Sequence, residues 1–102
     1  MASNTNSGDW EKVREMILKK IPADKIIEFT LKNKVCLEKN VDGKSLLLHA
    51  IENNRSTALE IIKIKTNFVN EENALDRVNR TNDKEILNLL NDKKINISRK
   101  KH

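Results

Sequence analysis

The sequence predicts an all-α fold built from antiparallel helix pairs stacked side by side, and three observations carry that prediction. Apolar residues make up 37% and charged residues 34% of the 102-residue chain, with two Gly, one Pro, two Phe, one Trp and no Tyr. Such a mixture favours helices over a strand-and-turn architecture and leaves Leu and Ile to form the core. The stretch Gly43–Ile62, GKSLLLHAIENNRSTALEII, reads as a helix, a tight turn and a second helix. The same pattern returns downstream: Leu75, Val78, Asn82 and Leu90 each stand 28 positions after Leu47, Ala50, Asn54 and Ile62.

Within Gly43–Ile62, Gly43 suits a turn that needs positive φ, and Ser45 is placed to cap a helix opening with Leu46, Leu47 and Leu48. Leu47, Ala50 and Ile51 fall three and four apart and share a face. Asn53-Asn54 is expected to break the helix, since Asn tolerates a left-handed backbone. Ser56 is then expected to cap a second helix with Ala58, Leu59, Ile61 and Ile62 as its stripe. In the downstream copy, Asn73–Leu90, Asn82 is the expected cap, with Glu85 at capping-box spacing. So small a helix pair needs neighbours to cover its apolar face.

Residues 1–6 are expected to be a disordered N-terminus, residues 7–92 one helical domain, and residues 93–102 a basic tail. Asp9–Lys20 reads as a helix with Trp10, Val13, Ile17 and Ile21 on one side, and Trp10 is expected to close the end of the core. Acids lie early in it and Lys19 and Lys20 late, which suits the helix dipole. Pro22 fits the first position of a further helix spanning Ala23–Asn33, with Ile26, Ile27, Phe29 and Leu31. Val35–Asp42 is expected to form an extended connector or finger ending at Gly43, with Thr66–Glu72 as its counterpart and Phe68 and Val69 tucked beneath. Cys36, the sole cysteine, excludes an internal disulfide and is expected to be buried or half-buried.

Gly43-Lys44-Ser45-Leu46-Leu47-Leu48-His49-Ala50 resembles the ankyrin repeat pattern, in which Gly precedes Thr-Pro-Leu-His and a helix of small residues follows. Leu47 and Ala50 match outright, while Ser45, Leu46, Leu48 and Asn54 stand where the family has Thr, Pro, His and Gly. Asn73, Ala74, Leu75 and Asp76 stand for the tetrapeptide in the next unit, and Ser7–Leu18 is similar to the outer helix of a repeat lacking its first helix. The resemblance implies an ankyrin-like α-solenoid of two to three divergent repeats. It also implies a non-catalytic protein-interaction module that takes its partner on a concave face and on the connector loops. The family's variable surface positions fall on Asp42, Lys44, His49, Glu52, Asn53 and Arg55, with Arg77 and Arg80 as their equivalents in the following unit.

The chemistry-bearing residues do not assemble into a reaction. Gly8 and Gly43 stand alone, so there is no Gly-rich phosphate loop. His49 and His102 are the only imidazoles and lack the spacing of a zinc set. The acid pairs Asp9/Glu11 and Glu71/Glu72 read as solvated faces. No catalytic residue, metal or cofactor is therefore predicted. The net charge of +5 supports an alternative reading, a small protein associated with RNA, DNA or the ribosome through Arg99, Lys100 and Lys101. Self-association is a further expectation, since a short stack exposes apolar ends. No run approaches the roughly 20 apolar residues of a membrane span, and the N-terminus lacks a signal-peptide pattern, so an intracellular location is expected.

Overall fold

Pro22, Asn54 and the Asn82-Asp83 corner divide the helical stretches into three pairs. A computed structural model describes residues 6–94. The helices are α1 (Asn6–Leu18), α2 (Ala23–Lys32), α3 (Leu46–Asn53), α4 (Arg55–Ile64), α5 (Glu72–Thr81) and α6 (Lys84–Asp92). Between α2 and α3 the chain forms a small antiparallel hairpin of β1 (Asn40–Val41) and β2 (Lys44–Ser45), with Asn40 opposite Ser45 and Val41 opposite Lys44. Asp42 and Gly43 make its turn with φ of 56° and 78°, the two successive positive values that an Asp-Gly hairpin turn supplies.

The helices lie in two rows. In one, α3 packs between α1 and α5, with the β-hairpin alongside; in the other, α4 packs between α2 and α6. The core fills the space between the rows. Trp10, Val13 and Ile17 of α1 join Ile26 of α2, then Leu46, Leu47 and Ala50 of α3 with Ala58, Ile61 and Ile62 of α4, then Ala74 and Val78 of α5 with Ile86 and Leu90 of α6. The 28-residue offset survives in this packing, because Ala50 and Val78, Ala58 and Ile86, and Ile62 and Leu90 are all buried.

The ends of the helices follow from local chemistry. Ser45 Oγ accepts from the Leu48 N–H at 3.2 Å, so α3 begins where its serine predicts. Asn54 serves two helices: its N–H closes α3 on the Ala50 carbonyl, and its side-chain oxygen accepts from Thr57 N–H to open α4. Ser56, the expected cap of α4, is therefore inside the helix, because a two-sided corner at Asn54 leaves no room for a linker. Asn82 likewise is the left-handed C-cap of α5 at φ 54°, and Asp83 is the N-cap of α6, accepting from Ile86 N–H. Two lysines take the place that glycine often holds. Lys20 (φ 60°) and Lys34 (φ 52°) let Ile21 N–H reach Met16 O and Val35 N–H reach Thr30 O, the closing bonds of a Schellman turn.

Several expectations need correction. The segment Ser7–Leu18 is not an outer helix without a partner: α1 lies in the row of α3 and α5, and α2 follows it in the row of α4 and α6. The helix begins at Asn6, inside the stretch expected to be disordered, and ends at Leu18 rather than Lys20. The fold is helical but carries the small hairpin, so the expected connector or finger is paired at its end, Asn40 and Val41 with Ser45 and Lys44. Cys36 is exposed, and of the two residues expected beneath the second connector Phe68 is buried while Val69 is 76% exposed. Lys93 does not belong to a free tail, since its ammonium donates to the carbonyls of Lys63 and Lys65 at the end of α4. Among the described residues no helix is long and apolar enough to cross a membrane.

Candidate functional site

The residues expected to face a partner gather mainly on one side of the row α1–α3–α5, and most already hold one another. Lys44 of β2 lies 3.0 Å from Glu52 of α3, whose other carboxylate oxygen accepts from Arg77 of α5. This ladder runs across the hairpin and two helices with the lysine and arginine side chains about half exposed. The Arg77 hydrogen bond, reinforced by Lys44, holds the Glu52 carboxyl below its ordinary value against the opposing effect of burial. Asn53 donates to the His49 carbonyl and receives Lys20 Nζ at its own carbonyl, so it serves the α1–α2 and α3–α4 corners. Asp42 occupies the exposed hairpin turn.

Arg55 and Arg80 make their ion pairs outside that ladder. Arg55 forks onto Asp83 at 2.7 and 2.9 Å and reaches Glu85 at 2.7 Å, tying the tip of the second helix pair to the tip of the third. This contact raises the Arg55 value, and the Arg55 hydrogen bond, with the backbone bonds at the helix start, depresses that of Asp83. Arg80 pairs with Asp76 one turn earlier in α5 at 3.1 Å. Arg99, Lys100 and Lys101 lie outside the described residues.

A cleft of about 260 Å³ opens where α1 meets the β-hairpin and α3, lined by Trp10, Arg14, Val41, Asp42, Lys44 and His49. Trp10 forms the underside. Its indole is 1% exposed, meets the His49 ring edge-on at 6.1 Å and 73°, and lies 5.9 Å from Lys39 Nζ. His49, expected on the partner-facing surface, is thus half-buried against an aromatic neighbour. Burial first, and then the Lys44 and Arg14 charges, hold its imidazole below the ordinary histidine value; Glu52 and Glu11 oppose them. Arg14 pairs with Glu11 at 2.6 Å through one terminal nitrogen. Its Nε and the Trp10 Nε1 are both buried without an acceptor among the described residues.

Sequence reasoning missed a buried polar cluster behind this face. Glu71, read as solvated, is 1% exposed, and Lys65 is 2% exposed. Lys65 Nζ lies 3.2 Å from Glu71 Oε2 as an ion pair outside hydrogen-bond alignment, 3.1 Å from the Leu37 carbonyl and 3.4 Å from Glu38. The other Glu71 oxygen accepts from the Ser45 hydroxyl. Two donors of the ammonium therefore go to the finger, at Leu37 and Glu38, while its charge is paired with Glu71 at the start of α5. Burial pushes the Glu71 carboxyl above its ordinary value, against the opposing pull of Ser45 and Lys65. A single Lys and a single Glu among many leave no sequence signature for such a pair. The available hint was a lysine immediately after the apolar stripe of α4.

No family model, curated protein or solved structure matches the chain. Among the described residues no group of three His, Cys, Asp or Glu side chains is placed to share a metal ion.

Proposed function

We propose that the chain is a non-catalytic docking module of the ankyrin type, taking a protein partner on the face formed by α1, α3, α5 and the β-hairpin. The observation that carries this reading is the Lys44–Glu52–Arg77 ladder beside the Trp10–His49 cleft: a row of charged side chains that the core does not need. Exposed ion pairs contribute little to folding, about 0–1 kcal/mol, so their groups can be re-paired with a partner at small cost. Arginine is suited to forking onto carboxylates.

The repeat spacing supports the same reading. Lys20 and Ile21, at the first corner, bond to Asn53 and Asn54, which lie 33 residues on. That offset agrees with the roughly 33 residues of an ankyrin unit. Between the second and third units it falls to 28, as Arg55 and Asp83 attest, because residues 65–71 make a shorter connector than residues 33–45.

The test is affinity capture from an extract of the native source, followed by mass spectrometry, with the full chain and with Arg77→Glu. A protein recovered by the native chain and lost with Arg77→Glu at unchanged helicity supports the module. Equal recovery by both, or recovery of nucleic acid alone, contradicts it.

A further inference from the structure

Within the docking face proposed above, on which this step rests, the cleft beside Trp10 has an unbalanced hydrogen-bonding inventory. Trp10 Nε1 and Arg14 Nε are donors that meet no acceptor among the described residues, and neither side chain can accept. Lys44, also a pure donor, stands at the rim, and Asp42 is the one acidic residue in the lining. The electrostatics point the same way. The groups around His49 are Arg14 and Glu11 of α1, Lys44 of β2 and Glu52 of α3, and the two cations outweigh the two acids in setting its titration. Both nitrogens are buried, so an incoming oxygen meets the half-exposed Arg14 and Lys44 side chains rather than these two donors.

We infer that the cleft receives a carboxylate side chain, a glutamate or aspartate of the partner, with its oxygens toward Arg14 and Lys44 and its methylene stem against Val41 and the Trp10 edge. The ion pairs these cations now make are exchangeable. Arg14 is 41% exposed in its pair with Glu11, and Lys44 is 45% exposed in its pair with Glu52. An incoming carboxylate also stabilises protonated His49, so binding strengthens as the pH falls through the depressed histidine value.

Trp10 is the only tryptophan, so its indole N–H gives one nuclear magnetic resonance signal that reports the cleft directly. The full chain is titrated at constant ionic strength with N-acetylglutamate amide, N-acetylglutamine amide, N-acetylglycine and inorganic phosphate. The expected result is a saturable shift of the indole signal with the glutamate compound, about tenfold tighter than with its glutamine analogue. It should weaken at least severalfold in Arg14→Gln and, should that variant unfold, in Lys44→Gln. No saturable shift, an equal response to the glutamine compound, or no loss in either variant overturns the assignment. Tighter binding of N-acetylglycine or phosphate overturns it too, by making the cleft a receptor for a chain end or a phosphate. If the glutamate compound fails while Arg77→Glu still abolishes partner capture, the cleft assignment falls and the docking face stands. If capture survives both Arg77→Glu and Arg14→Gln, the docking face falls as well.

Discussion

Lys65 and Glu71 meet with side chains 0% and 1% exposed, whereas Lys44, Glu52 and Arg77 retain 45%, 18% and 46% of theirs. The two clusters are made of the same chemistry and differ in solvent. Around Lys65 the ammonium has exchanged water for the Leu37 carbonyl, two carboxylates and the face of Phe68 at 5.5 Å. Removing one partner there strands a charge in a place water does not reach. On the outer face of α3 and α5, water replaces any partner that is taken away. The first cluster fixes the frame, joining the finger, the cap of α3, the end of α4 and the start of α5. The second is free to be re-paired.

The contrast can be broken first at its strong end. Glu71→Ala should destabilise the chain by about 3 kcal/mol in urea unfolding, because it removes the buried carboxylate and leaves the buried Lys65 only the half-exposed Glu38 at 3.4 Å. Replacing both groups with apolar residues, Lys65→Met with Glu71→Leu, should recover much of that loss, which separates the cost of an orphaned charge from the worth of the pair. Ser45→Ala should cost about 1–2 kcal/mol, since it removes both the cap of α3 and a hydrogen bond to Glu71. Arg55→Ala, at the exposed tip, should have the smallest effect, and one that shrinks further in high salt.

The pH dependence separates the clusters by sign. The Asp83 and Glu52 carboxyls are held below their ordinary values, so their contribution is present above those values and lost as the pH falls through the depressed ones. Asp83→Asn, which keeps a capping oxygen, should flatten part of that acid limb in unfolding curves. Glu71 runs the other way. Its raised value means that its titration contributes most below the ordinary glutamate range and that this is lost as the pH rises through the raised value.

The paired helices of Gly43–Ile62 and their copy were legible because spacing alone reports a buried face, and Ala50, Ile62, Val78 and Leu90 are all fully buried. The hairpin was half legible. Asp42-Gly43 is the local turn signal, but the strands on either side are two residues each, too short for alternation to register. The row of α1 was misread because a repeat of 28 residues does not extend upstream. The longer connector of residues 33–45 resets the offset to 33, and no apolar pattern records the length of a loop. Helix ends at Lys20 and Lys34 were obscured for a related reason, since lysine carries none of the glycine signal for a left-handed backbone. Of the candidate face, Lys44, His49, Glu52 and Arg77 do come together, while Trp10 and Arg14 were missed as lining residues because their row was wrong.

Two double-mutant cycles measured under one set of conditions test the central distinction most directly, one for Lys65 with Glu71 and one for Glu52 with Arg77. A coupling of about 2–3 kcal/mol or more in the buried cycle and less than about 1 kcal/mol in the exposed one is the predicted result. Equal couplings, or a larger one for Glu52 with Arg77, would mean that the face assigned to a partner is part of what holds the fold together.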